Sequence, residues 1–329
     1  MAAAARRATD DMAITAPMAY WTTAGRAGDP VTQLGWGMGI TALAVIVIIG
    51  VLLLAGLLKH RAPARKPNEL AVREDVGGMP WIYVGVGIST LVLLAFVVWT
   101  LTTISAVAMP ARPALTLTVH AAQWWWWVRY EDPESGRVFN TANEIHIPAG
   151  RPVKLVMTGD DVIHSFWVPR LAGKNDLIPG QTTVTWIEAD QPGRYRGQCG
   201  EYCGAQHAHM ALWVIADPPE TYAHWADAQR ADAPAPTDAA AMHGREVFDA
   251  HCAACHTVRG TAAGGILGPD LTHVMSRDTI AAGLLPNTPA NLSAWIANAP
   301  SLKPGTRMPA TMLSGPELQA IRAYVATLK

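Results

Sequence analysis

The densest chemistry in this sequence lies in the segment GQCGEYCGAQHAHMALW, where Cys199, Cys203, His207 and Met210 fall within twelve residues, and His164 stands upstream in DVIHSFWVP. Thiolate, imidazole and thioether are soft donors, a set that suits copper and not magnesium or calcium. Zinc accepts Cys and His but has little use for Met. Iron–sulfur clusters usually need more cysteines than this segment supplies. Cys203, His207 and Met210 with a distant histidine would by themselves serve one copper ion of the blue type. Cys199 is the additional feature. Two thiolates four residues apart can bridge two copper ions, each completed by one histidine. The weaker donors are then Met210 on one ion and the backbone carbonyl of Glu201 on the other.

The other two cysteines stand in Cys252-Ala-Ala-Cys255-His256, a C-x-x-C-H motif. This is the attachment signature of a c-type haem, in which both thiols bond the haem vinyl groups and the histidine ligates the iron. All four cysteines of the chain therefore lie in motifs that use sulfur, and none remains for a structural disulfide. The plainer reading, a disulfide within each close pair, is the alternative.

Elements must hold these groups in place. Half of the 329 residues are hydrophobic and 16% are charged, which suggests a membrane portion joined to a water-soluble one. A net charge of −1 gives no argument for nucleic-acid binding. Residues 36–58 and 81–109 are uncharged and rich in Ile, Val and Leu. The first would span roughly 34 Å as a helix, enough to cross a bilayer. The connecting loop 59–80 holds Lys59, Arg61, Arg65, Lys66 and Arg73, against three arginines in the tail 1–35. The excess puts the loop in the cytoplasm and both ends of the chain outside. The tail shows no signal-peptide pattern.

Segments 115–122, 144–150, 152–159, 182–190 and 210–217 alternate or run apolar between Gly, Pro and Asp, and predict an antiparallel sandwich. Residues 219–238, rich in Ala, Pro and Asp, read as a linker. Helical signals follow: Thr288-Pro289 as an N-cap and first turn, and Ser314 with Glu317 as a capping box. The expected fold class is a multi-domain membrane protein. It has a tail (1–35), a two-helix transmembrane hairpin (36–109), an all-β sandwich (110–218), the linker, and an all-α domain with the C-x-x-C-H motif (239–329).

On these residues the sequence resembles subunit II of cytochrome c oxidase. It carries that family's upstream histidine before Ser-Phe, then C-x-E-x-C-x3-H-x2-M, and the segments GKNDLIPGQ and QPGRYRGQC resemble the family's own. The resemblance implies that His164, Cys199, Glu201 through its carbonyl, Cys203, His207 and Met210 bind the binuclear copper centre CuA. It also implies that the Glu201 side chain reaches a magnesium ion at the boundary with subunit I. The run QWWWWVRY resembles the family's aromatic segment, whose first tryptophan lies at the surface above the copper and takes electrons from cytochrome c; that role would fall to Trp124. His120, His146 and His209 fit no such pattern.

Beyond residue 240, GREVFDAHCAACH resembles the first helix of class I cytochrome c, LGPDL its G-P-x-L turn and KPGTRMPA its axial methionine loop. The resemblance makes Met308 the second axial ligand beside His256, ahead of Met275 and Met312. The whole resembles the fused subunit II of caa-type oxidases, which implies that the sandwich is cupredoxin-like and the last domain a class I cytochrome c. It also implies a place in the inner membrane of a bacterial cell, with the copper and haem domains on the periplasmic side. The implied partners are subunit I and other oxidase subunits, membrane lipid, and an external donor such as a cytochrome c or a quinol-oxidising complex. Dioxygen reduction coupled to proton translocation would occur in subunit I. Two alternatives stand: the input subunit of a copper-containing nitric oxide reductase, and a free-standing membrane electron carrier. Where the family often has a glutamate shortly before the second span, this chain has Gly77-Gly78; Glu74 and Asp75 are the nearest candidates for proton uptake.

Overall fold

A computed structural model describes residues 18–59, 78–110, 112–131 and 136–329. The basic residues 61–73 of the connecting loop, Glu74, Asp75 and Gly77 lie outside the described residues, as do Arg6 and Arg7.

Residues 30–108 form one compact unit. Helices α1 (Asp29–Leu58) and α2 (Met79–Ala106) are both long and apolar enough to cross a membrane, and their large side chains are exposed. α1 begins ahead of the uncharged run because Asp29 and Pro30 make a favourable helix start: a carboxylate in the first turn and a proline whose missing N–H costs nothing there. The helices meet where Gly37 has no side chain; a Cβ there would lie 2.5 Å from the Trp99 ring.

The second unit contains the sandwich and the helical segment after it. One sheet has strands in the order β3 (Val138–Ala142), β2 (Trp125–Glu131), β1 (Leu115–Ala122), β5 (Val153–Gly159) and β8 (Thr183–Ile187). The other runs β4 (Glu144–Pro148), β10 (Ala211–Asp217), β9 (Gly193–Cys199), β6 (His164–Trp167) and β7 (Asn175–Leu177). Alternation decides which face is buried: Leu117, Val119 and Ala121 of β1 and Trp126, Val128 and Tyr130 of β2 point into the core. The sheets are not wholly antiparallel as the sequence pattern suggested. β1 pairs with β5, and β10 with β4, in parallel. Both are pairings between strands distant in the chain, not hairpins, and local patterning carries no signal for them.

Residues 22–28, within the expected outer tail, run along the sandwich. Ala24 N–H donates to Arg170 O (2.7 Å) and Asp190 N–H to Ala24 O (2.9 Å).

The linker expectation needs a correction: its first half is helix α3 (Pro219–Arg230). Few apolar residues mark it, but they share one face. Trp225 stacks on His146 at 4.0 Å and lies edge-on to Tyr130 and Phe139. Only residues 231–238 remain as a connection.

The helical segment follows. α4 (Ala239–His251) crosses α6 (Gly315–Val325), with Phe248 against Tyr324 at 5.5 Å. α5 (Pro289–Leu302) lies between them in sequence and kinks at Asn298, two residues before Pro300, which supplies no backbone donor. Both expected caps form: Thr288 accepts from Asn291 N–H, and Ser314 and Glu317 make a reciprocal capping box.

Candidate metal and haem sites

β9 ends at Cys199, the chain loops out, and a 3-10 turn over His207–His209 returns it to Met210 at the start of β10. Cys199 N–H donates to Met210 O (2.9 Å), which closes the loop at its base. His164 opens β6, whose Phe166 is paired with Cys199. The result gathers the sulfurs. Cys199 Sγ is 3.7 Å from Cys203 Sγ, 3.8 Å from His164 Nδ1 and 3.2 Å from the carbonyl oxygen of Glu201. Cys203 Sγ is 3.6 Å from His207 Nδ1 and 3.9 Å from Met210 Sδ. Sulfurs 3.7 Å apart are not bonded, since a disulfide needs about 2.05 Å. One histidine stands beside each sulfur, and the thioether and the carbonyl stand on different sulfurs. His164, Cys199, Cys203 and Met210 are buried, and His207 is half-buried.

Protonation follows the geometry. Cys199 is held well below the ordinary thiol range by its contact with Cys203 and by the His164 ring, which outweigh burial. Cys203 is correspondingly pushed up, by its contact with Cys199, by burial and by the Cys199 charge. Burial disfavours the His164 cation, but Cys199 and Asp161 more than offset it and raise its pKa.

Asp161 escaped the sequence reading. Its Oδ1 lies 2.9 Å from His164 Nε2, turning Nδ1 toward the sulfurs, and the carboxylate also accepts from the N–H groups of Gln123 and Val162. The only signal was a carboxylate three residues before the histidine. Burial pushes Asp161 up, but these hydrogen bonds win and hold it below its usual range. Its ordering effect is therefore complete above the ordinary aspartate pKa of about 3.9 and is lost as pH falls below it. An Asp161→Asn variant is expected to bind copper about 10- to 100-fold more weakly at neutral pH, measured by competition with a chelator.

The tryptophan run divides at its first residue. β2 begins at Trp125, and Trp126 is fully buried, edge-on to Phe166 (5.8 Å). Trp125 and Trp127 face the other way, half-buried. Trp124 sits in the turn before the strand and donates its indole N–H to Cys203 O (2.9 Å). It is not at the surface, as the resemblance implied. It is 8% exposed, because the chain's own residues 303–305 cover it, and a Cβ on Gly305 would lie 3.0 Å from its ring. Glu201 turns its carbonyl to Cys199 and its half-exposed side chain to Lys174 Nζ, 3.6 Å away.

In the helical segment, Cys252 caps α4, and Cys255 and His256 both donate their N–H groups to its carbonyl (3.0 Å each). His256 Nδ1 is 2.8 Å from Pro269 O, so Nδ1 carries the proton and Nε2 keeps its lone pair. Burial pushes the His256 pKa down, which keeps the ring neutral and ready to ligate. Two glycines make this packing possible. A Cβ on Gly268 would lie 2.6 Å from the His256 ring, and one on Gly265 would lie 2.5 Å from the Cys255 backbone. Between these two glycines, Ile266 and Leu267 expose apolar side chains. These residues fit a haem bonded through two thiols. Met308 lies half-buried in the loop after α5, tied down where Thr311 Oγ1 donates to Ile296 O (2.8 Å). Met312 is almost fully exposed and Met275 packs into the helical core. His120, His146 and His209 pair with Asp160, Asp217 and Gln206.

A cupredoxin-like sandwich with gathered sulfurs, a C-x-x-C-H helical segment and two apolar helices define a membrane-anchored electron-transfer protein of the copper and c-type haem class. Residues 132–216 match the profile "Cytochrome C oxidase subunit II, periplasmic domain", and residues 241–329 match "Cytochrome c". Cytochrome c oxidase subunit 2 of Alkalihalophilus pseudofirmus is 35% identical over 301 residues, 88% of this chain and 84% of that one. Its counterpart in Bacillus sp. strain PS3 is 30% identical over 230 residues, 66% of this chain and 63% of that one. The crystal structure of the periplasmic domain of subunit II of cytochrome oxidase from Bradyrhizobium japonicum is 29% identical, with a TM-score of 0.34, covering 37% of this chain and 97% of that one. The chain belongs to the cytochrome c oxidase subunit II family, with a cytochrome c domain at its C-terminal end.

Proposed function

We propose that this chain is the electron-input subunit of a caa-type cytochrome c oxidase, and that it holds a binuclear copper centre and one haem c. The observation that carries this reading is the pair of unbonded sulfurs of Cys199 and Cys203, each with its own histidine. His164, Cys199, Cys203, His207, Met210 and the Glu201 carbonyl would hold the copper pair, while Cys252, Cys255, His256 and Met308 would hold the haem. Bound there, the two groups supply reversible one-electron transfer, from an external donor toward dioxygen reduction in subunit I. Trp124 bridges the two regions, with its indole on Cys203 O and Gly305 packed on its ring, and is the proposed point of electron input. Asp161 orients His164, Pro269 orients His256, and burial keeps water from the His164 ring. The Glu201 side chain is offered to magnesium at the subunit I boundary.

We place the copper and haem domains on the periplasmic side of the inner membrane. The basic loop 59–80 supports this, and so does the packing of residues 22–28, which precede α1, on the sandwich, which follows α2. The domain limits proposed are 36–109 for the hairpin, 110–218 for the copper domain and 239–329 for the haem domain, with α3 belonging to the copper side.

The test is metal analysis and paramagnetic resonance of the purified complex. Two coppers sharing one unpaired spin and one covalent haem c per chain are expected, together with dioxygen consumption. One copper, or a bond between Cys199 and Cys203, refutes the centre. Consumption of nitric oxide in place of dioxygen would make the partner a nitric oxide reductase.

A further inference from the structure

We infer that Lys303 is a positioning residue that seats the haem-bearing segment on Trp124 and thereby sets the rate of internal electron transfer. This rests on the function proposed above.

Lys303 follows α5, five residues before Met308, and is 3% exposed. A fully buried lysine is costly unless its charge is met by acceptors. Here three are supplied. Nζ donates to Trp124 O at 2.8 Å, to His209 O at 2.8 Å and to Ala281 O at 2.9 Å. An ammonium has three N–H bonds to give, and each reaches a carbonyl. Burial pulls the Lys303 pKa down to about 7, but a neutral amine could serve only two of these acceptors, so the third favours the proton.

The placement of the acceptors matters more than their number. Trp124 belongs to the turn whose indole binds Cys203 O, and His209 lies between His207 and Met210. Ala281 belongs to the helical segment itself. One side chain thus ties the methionine loop to the Trp124 turn and to the loop that carries His207 and Met210. Neighbouring contacts agree in direction: Gln206 Nε2 donates to Pro304 O (2.9 Å), and Ala211 N–H donates to Ala282 O (3.1 Å). Gly305, at φ +86°, lets the loop lie directly on the Trp124 ring. A second attachment stands apart, where the Glu144 carboxylate accepts from the N–H groups of Asp278 and Thr279 (3.0 Å each). Glu144 resists tilting of the segment, while Lys303 fixes its distance from Trp124. Electron tunnelling falls steeply with distance, so a loosened seat slows transfer even when both redox groups are intact.

The test uses the full chain in the intact oxidase complex, with Lys303→Met keeping the stem and removing the charge. Two readouts are needed. Amide hydrogen exchange at Ala211 should quicken about tenfold or more, while the β1 and β5 amides hold their protection. After photoreduction of the haem, its reoxidation by the copper centre should slow by about tenfold or more, with both absorption spectra unchanged. Should Lys303→Met fail to retain haem, Lys303→Arg takes its place, because a planar fork cannot reproduce three diverging bonds. Exchange and transfer within twofold of the parent, with both spectra intact, would overturn the inference. Loss of the haem band in both variants would also overturn it, making Lys303 a folding residue. Absence of the copper or haem signal in the parent complex would instead refute the proposed function.

Discussion

In a Cys199→Ser variant the shared-spin copper signal disappears, the haem band survives, and turnover of the complex falls to about one per cent or less. The Cys199 sulfur approaches both Cys203 and His164. Serine keeps the shape of the buried position, so the sandwich folds at a cost of about 1 to 2 kcal/mol for one buried hydroxyl. Its oxygen is a hard donor with a far higher pKa, and it cannot bridge two soft ions. Cys203, His207 and Met210 remain together and can still hold a single copper ion. Metal analysis should therefore give one copper per chain in place of two. Two coppers and full turnover in this variant would show that the sulfur at 199 is dispensable.

The second large effect lies in the haem-bearing segment. A Gly244→Ala variant is expected to destabilise that segment by about 3 kcal/mol, at the upper end of the usual overpacking cost. A Cβ at residue 244 would lie 1.9 Å from Ala320 O, 2.5 Å from its carbonyl carbon and 2.9 Å from Tyr324 Cβ. None of these is the free end of a flexible side chain. Relief requires α4 and α6 to move apart, which uncovers Phe248, Ile321 and Tyr324. For a segment of this size the melting temperature should fall by roughly 15 °C, followed in the haem absorbance. Covalent haem yield should fall too, because α4 delivers Cys252. Gly315→Ala, where a Cβ meets nothing within 4 Å, is the control. A Gly244→Ala protein that melts within 2 °C of the parent would contradict the helix crossing.

Chemistry was more legible than architecture. The sulfur spacing and the C-x-x-C-H run announce themselves because a metal or haem dictates local sequence. The two spans and the caps at Thr288 and Ser314 were legible for the same reason: one short window contains the whole interaction. The misses are non-local. β6 carries His164 and was not among the expected strands, since residues needed at the site interrupt the usual alternation. Helix α3 was hidden because Trp225 does most of its anchoring against residues some 80 to 95 positions earlier. The acceptors of Lys303 lie as far as 179 residues away, and nothing near position 303 announces them. The burial of Trp124 follows from the same contact.

Because α3 is anchored to the sandwich, the strand of chain joining the two redox regions is only residues 231–238, and even this leash is pinned. Ala233 N–H donates to Arg259 O at 3.0 Å, and the Arg259 guanidinium donates back to the carbonyls of Gln229 and Ala231. The haem region is thus a bracket bolted at several points, not a pendulum. On the proposed route, a donor held in place has no diffusional encounter for salt to screen, so its onward delivery would follow first-order kinetics indifferent to dilution and ionic strength. Sensitivity to both moves upstream, to the meeting between this chain and whatever reduces it.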